Sequence, residues 1–216
     1  MAYLAKNYVV VKASHIKTAP IDSEKAVVAI TFDDAFVSVL KNAIPVLKNH
    51  RFTATIFVPT GNLGQPPRWK MENDYPGKYE IVMNEEEIVQ LEKDGFEVLS
   101  HTVSHANLTE IDGARLEKEM KDSKQTLERI LGCEVCGISY PYGAYNSRVC
   151  NAAKEAGYRL GFTIEPAIVT SAADSLQIGR FAVSPQDGPF KFKLKVAGAY
   201  QAVNSLRRIK RRLLKH

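Results

Sequence analysis

Two aspartates stand side by side in "AITFDDAFVS", Asp33 and Asp34, directly after the apolar run from Val27 to Phe32. That run reads as a buried strand, which leaves both carboxylates at its end. Adjacent carboxylates repel, and a pair at the mouth of a core is costly unless a positive charge offsets it. The pair is either a reactive centre or a helix cap followed by an acidic first turn. Two histidines, His101 and His105, stand four apart in "SHTVSHANL". The preceding "FEVLS" places them in a strand-to-loop turn rather than on a helix. Alone, they read as two satisfied surface histidines. Joined to an aspartate at another strand end, they form a tripod of two imidazoles and one carboxylate, which suits zinc with a position open to water. A third segment, "SYPYGAYN" from Ser139 to Asn146, reads as a rigid turn leading into a helix.

These three segments need elements to hold them, and strands alternate with helices through most of the chain. Strands are expected at Tyr8–Val11, Val27–Phe32, Thr53–Val58, Phe96–Ser100, Val135–Ser139, Leu160–Ile164 and Gly179–Val183. Val37, Leu40, Ile44 and Leu47 mark one helix, kinked at Pro45. Asn84 and Glu87 form a capping box for a helix reaching about Lys93. Leu116, Met120, Leu127 and Leu131 mark another, stopped by Gly132. Asn146 caps a fourth, which ends at Gly157. This alternation predicts an α/β fold with a parallel sheet, closed as a barrel or open, and chemistry then gathers at the carboxyl ends of the strands. The long irregular stretch from Gly61 to Ile81 reads as a groove wall whose Trp69 and Tyr75 could stack on a sugar, or as a surface insertion with its aromatics tucked inward.

At 216 residues, with 45% hydrophobic and 25% charged content, the chain fits one soluble domain, 1–216. No apolar run is long enough for a membrane span, and no signal peptide is recognisable at the start, so a cytoplasmic location is expected. The net charge is +5, yet six basic residues fall between Arg207 and Lys215, which leaves the body at −1. A broad nucleic-acid footprint is therefore not expected. The tail, 203–216, places Val203, Leu206, Ile209 and Leu213 on one helical face. It reads as a last helix packed on the body, or as a peripheral contact with an anionic membrane. Cys133 and Cys136 form a CxxC without a second pair, and read as ordinary thiols.

In sequence the three segments resemble the motifs of the polysaccharide deacetylases, carbohydrate esterase family four with its NodB-homology domain. "TFDDA" is similar to the first motif, "HTVSH" to the second and "SYPYG" to the third, in the family's order, from about Val27 to Val183. "ATIFVPTGNLG" and "GYRLGFT" also look like family segments. The resemblance implies a distorted, incomplete (β/α) barrel of about seven strands. It implies a hydrolase that removes N-acetyl groups from amino sugars of a polysaccharide or lipid-linked glycan and releases acetate. It further implies Asp33 as catalytic base and Asp34, His101 and His105 as ligands of a divalent metal, Zn2+ or else Co2+, Ni2+ or Fe2+. The backbone N–H of Tyr142 would hold the oxyanion, and Pro141 and Tyr142 would meet the substrate; Trp69 is a candidate to meet it on its aromatic type alone.

The sequence departs from the family at four places. Ala35 stands where the first motif ends in glycine, which calls for an ordinary backbone there or for strain. Ser139 stands where an arginine is common, and Arg180 is the candidate to supply that cation from elsewhere. The aspartate–tryptophan fourth motif is missing. The late histidine that protonates the leaving amine has no counterpart after Val183, leaving His15, Asp33 or a water to return the proton. An O-acetyl esterase needs that proton less, and a catalytically weak carbohydrate-binding homologue would share the fold. An aspartyl phosphatase would want a second aspartate at position 35, which is alanine.

Overall fold

A computed structural model describes residues 1–19, 25–71 and 76–199. The basic tail and Tyr75 lie outside the described residues. Five short parallel strands form one sheet in sequential order: β1 and β2 precede it as a separate parallel pair, Tyr8–Val11 with Ala26–Ala29, and β3 (Thr31–Phe32), β4 (Thr55–Val58), β5 (Glu97–Ser100), β6 (Gly137–Ser139) and β7 (Leu160–Phe162) follow. The sheet curls into an incomplete TIM-like barrel, as expected. The run from Val27 to Phe32 is not one strand but two, β2 and β3, joined at Ile30, whose carbonyl accepts the Thr55 N–H at 2.9 Å.

All four residues of β4 are buried, as are Ile138 of β6 and Leu99 of β5. A parallel sheet covered on both faces needs such continuous apolar runs. Its cover comes from α2 (Ile44–Asn49), α3 (Glu85–Lys93), α4 (Gly113–Leu131) and α5 (Ser147–Glu155), which bury Leu47, Leu91, Met120 and Val149 among others; α1 (Ala2–Asn7) precedes the β1–β2 pair. The expected caps are present. Asn84 accepts from Glu87 N while Glu87 answers at Asn84 N, Gly132 closes α4 with φ 69°, and the Asn146 side chain accepts from Val149 N.

Two expectations are corrected. The segment before α2 is a π-helical turn, Val39–Ala43, and Pro45 sits in the first turn of α2 rather than at a kink. Proline has no N–H for the carbonyl four residues back, so the chain takes the wider turn and Ile44 N bonds Val39 O instead. Residues 179–183 form no strand. Ile178 alone bridges Phe162, and the chain then turns inward at Arg180. After this, α6 (Pro189–Val196) packs with Phe192 edge-on to Tyr3. No helix among the described residues is long and apolar enough to cross a membrane. Cys133, Cys136 and Cys150 are free thiols, each pushed up in pKa chiefly by burial, which fits ordinary thiols.

Candidate active site

The strand order sets the site. β3 ends at Asp33 and Asp34, β5 at His101, β6 at Ser139, and β7 runs into Thr163, so the groups line one rim at the carboxyl ends of the strands. Asp34 and Ala35 both take left-handed backbone, φ 69° and 51°. Ala35 therefore accepts strain rather than an ordinary conformation, at a cost of roughly 1–2 kcal/mol. Its carbonyl takes the Met83 N–H at 2.9 Å and its side chain is fully buried, so the turn is fixed from both sides.

His101 Nδ1 lies 2.8 Å from the Ser139 carbonyl. Because a carbonyl only accepts, this ring nitrogen donates, and Nε2 carries the lone pair. Nε2 of His101 lies 3.6 Å from Asp34 Oδ1, and Nε2 of His105 lies 3.3 Å from the same oxygen. One ligand atom from each residue falls within 4.8 Å of the others. The donor set fits a divalent cation. Asp34 Oδ1 is buried without a hydrogen-bond donor among the described residues, while it faces two imidazole nitrogens. Burial pushes the Asp34 carboxyl up to about 6, against the pull of His101 and with the push of Asp33. Burial, with His101 beside it, drops His105 to about 3. A metal ion bound there would add positive charge where two imidazoles face a buried carboxylate.

Asp33 is held differently. Burial alone would raise its pKa, but Arg180, then His101 and His105, outweigh burial and bring it to about 2. Arg180 Nη1 and Nη2 reach its two oxygens at 2.7 and 2.8 Å. The guanidinium also donates to Ser139 Oγ at 2.7 Å, Thr31 Oγ1 at 3.2 Å and the Thr163 carbonyl at 3.0 Å, and it rests 5.2 Å above the Phe57 ring. Ser139, where the family often has arginine, thus receives the arginine of a later segment. Gly179 lets that segment approach: a Cβ there would lie 2.3 Å from the Glu165 carbonyl oxygen, which accepts the Arg180 backbone N–H at 3.0 Å.

The turn Pro141–Gly143 is locked by bonds from Gly143 N to Tyr140 O and from Ala144 N to Pro141 O. Tyr142 inside it has φ 58°, its ring meets His105 edge-on at 4.7 Å, and its hydroxyl donates to the Lys70 carbonyl at 3.0 Å. Pro141 is buried beneath the turn. Trp69 stacks on His105 at 4.7 Å and on Phe36 at 6.3 Å, so its ring is largely tucked inward. A cleft of about 700 Å³ opens beside His105, with Trp69 and Tyr142 among its walls.

Sequence reasoning missed Glu119. This carboxylate on the buried face of α4 is only 5% exposed. It accepts from Val103 N at 3.0 Å, Ser104 N at 2.8 Å and the Ser104 hydroxyl, all between the two histidines. One turn further along α4, Ser123 meets Ser100, whose Oγ takes the Thr102 N–H. The signal was available as polar residues set into the apolar stripe of Leu116, Met120 and Leu127. His15 is at the other end of the molecule. Its turn, Ala13–His15, is tied to Thr55 and Glu97, where β4 and β5 begin, and the histidine is exposed.

The half-barrel thus brings to its strand ends an aspartate pair and two histidines, three of whose four side chains could hold a metal ion. The polysaccharide deacetylase family model matches residues 21–161, and the chain belongs to that family. The Bacillus subtilis protein YxkH is 31% identical over 163 residues, 76% of this chain and 53% of its own length. A Staphylococcus aureus poly-beta-1,6-N-acetyl-D-glucosamine N-deacetylase is 27% identical over 79% of this chain and 58% of its own. The chain thus spans little more than half of these relatives. In fold it is similar to the Streptococcus pyogenes deacetylase PplD, solved with acetate, at a TM-score of 0.76 and 24% identity over 90% of this chain and 82% of that one.

Proposed function

We propose that the chain is a metal-dependent hydrolase that removes N-acetyl groups from amino sugars of a polysaccharide or lipid-linked glycan and releases acetate. The observation that carries this reading is an ionised, arginine-held Asp33 next to the Asp34–His101–His105 cluster. A divalent cation, zinc by its donor set, would supply Lewis acidity at that cluster. Asp34, His101 and His105 would hold it. Asp33 takes a proton from the attacking water, and Arg180 keeps its two oxygens in place. The Tyr142 N–H, fixed by its strained turn, donates to the oxygen of the former amide carbonyl. The amide nitrogen then needs a proton to leave as an amine. Among the described residues His15 sits where β4 and β5 begin, away from the site, which leaves Asp33, with the proton it took, or a water to supply it.

That same distance supports a second reading, an O-acetyl esterase, because an alkoxide leaves with less help than an amine anion. Acetate release from N-acetylglucosamine oligomers and from O-acetylated glycans separates the two, with the bound metal measured alongside. Asp33→Asn should keep the metal and lose turnover on the true substrate; His101→Ala should lose both. Full turnover by Asp33→Asn would discard the proposed role of the base.

A further inference from the structure

Thr102, between the two histidines, has φ 67° although its side chain branches at Cβ. A branched residue in left-handed backbone is an outlier that persists only where its surroundings over-determine it. Here they do so through three bonds. The Thr102 N–H donates to Ser100 Oγ at 3.1 Å, its carbonyl accepts the Thr60 N–H at 3.0 Å, and its Oγ1 accepts the His105 N–H at 3.1 Å. Ser100, Thr102 and, on α4, Ser123 are all fully buried. Bulk water therefore cannot replace a bond that is lost there.

Of these three bonds, the one to Ser100 depends on an acceptor that is free to turn. A serine hydroxyl carries one proton and two lone pairs and rotates to suit its neighbours. Ser123 removes that freedom, because its Oγ lies 2.7 Å from Ser100 Oγ. Both serines also neighbour the Tyr158 hydroxyl, whose proton goes to the Met120 carbonyl at 3.0 Å. We propose that Ser100 and Ser123 are positioning residues for the histidine pair. The α4 hydroxyl orients Ser100, and Ser100 pins the Thr102 N–H. The strained turn then aims His101 and His105 at the same oxygen of Asp34, at 3.6 and 3.3 Å. The influence passes through one backbone angle, with neither serine among the metal's candidate ligands. Its effect on metal rests on the metal reading of the cluster; the aim of the two rings does not.

The test compares the full chain with Ser100→Ala, with Ser123→Ala, and with each of these combined with Thr102→Asn. Asparagine enters left-handed backbone more readily than threonine, and its side-chain oxygen can still take the His105 N–H. Zinc affinity is read by competition with a chelator. In the metal-free chain, the denaturant midpoint reads folding, and the ring-nitrogen chemical shifts of His101 read whether its proton stays on Nδ1. Ser100→Ala should lower zinc affinity about tenfold and mix the two tautomers of His101, and Ser123→Ala should do both more weakly. Adding Thr102→Asn should restore most of each loss, because a relaxed turn no longer needs the hydroxyl. Should Ser100→Ala fail to fold, the Ser123→Ala pair carries the same comparison. A lower midpoint with affinity and tautomer unchanged reduces the serines to packing and overturns the proposal. A loss that Thr102→Asn fails to repair also overturns it. A parent chain that holds one tautomer yet takes up no zinc discards the metal reading, and the tautomer in Ser100→Ala then decides the proposal alone. Zinc uptake equal in the parent and every variant keeps the metal reading and discards this one.

Discussion

Arg180 grips Asp33 through two parallel bonds of 2.7 and 2.8 Å, although 147 residues separate them in sequence. The grip fixes the carboxylate in place and lowers its pKa to about 2. For the base proposed above, placement and basicity are thus in opposition.

Removing the guanidinium should reverse this exchange. In Arg180→Ala the Asp33 pKa rises, so the acid-side inflection of kcat/KM moves up by about a unit or more. The rate above that inflection falls because the carboxylate loses its fixed orientation. Arg180→Lys, without a fork, should recover charge but little rate. A pH–rate profile unchanged in Arg180→Ala would reject the assignment.

Glu119 is expected to position both histidines by holding the loop between them. Glu119→Ala leaves the Val103 and Ser104 N–H groups unsatisfied, and zinc affinity should fall about 10–100-fold, as for other outer-shell partners. Glu119→Gln keeps an oxygen for both N–H groups and should stay near the parent. Competition titration with a chelator measures this without turnover. Equal affinity in Glu119→Ala would show that the loop needs no such anchor.

Metal should also stabilise the fold, because the cluster exists only in the folded chain. A ligand at 1,000 times its Kd contributes about 4 kcal/mol. Zinc is expected to raise Tm in the parent and to leave Tm unmoved in Asp34→Asn or His105→Ala. A shift of the same size in those variants would place the ion elsewhere.

Asp187, fully enclosed, joins Lys191 and Lys195 at 2.5 Å and accepts from Ser184 N at 2.9 Å. Bonds from Lys191 and Lys195 hold its carboxyl well below the usual carboxylate range. A pKa lowered by folding contributes stability that is whole above the unfolded value, about 3.9, and fades as pH falls through the folded one. Protection of the α6 amides, taken relative to their intrinsic exchange rate at each pH, should therefore fall in acid below about pH 4. In Asp187→Asn that protection should already be low at neutral pH, and the two chains should converge in strong acid.

Ala35→Gly tests the strained turn. Relief of the left-handed penalty, about 1–2 kcal/mol, outweighs the glycine entropy cost of roughly 0.5–1 kcal/mol. A small gain in denaturant midpoint is expected; a loss would show that the buried methyl matters more than the backbone angle.

Much of this arrangement was legible because local chemistry coincides with tertiary role. Asn84 with Glu87, Gly132 and Asn146 end or start helices by bonds made within a few residues. The carboxylates and histidines stand at strand ends, where a parallel sheet collects its chemistry. Arg180 was recognisable as a spare cation, but its approach depends on Gly179 fitting against Glu165, a contact no periodicity encodes. For the same reason residues 179–183 look like a strand: their side chains are apolar enough, but only Ile178 finds a neighbour. Glu119 showed only as a polar residue set into an apolar stripe, because what it does depends on the loop that covers it. His15 could be placed only once Ala13 and Ser14 were seen tied to the start of β4 and β5.

Among the described residues, five of the six non-glycine positions with left-handed backbone, Asp34, Ala35, Thr102, His105 and Tyr142, belong to the loops that hold the site. At about 1 kcal/mol or more each, their combined strain is comparable with the whole margin by which a domain stays folded. A copy of this chain with no need of the proposed chemistry would grow sturdier by drifting toward glycine or asparagine at Asp34, Thr102, His105 and Tyr142, whereas glycine at position 35 would only restore the family's motif. Those four identities make the rim a gauge of that use, readable in any descendant by which of them has relaxed first.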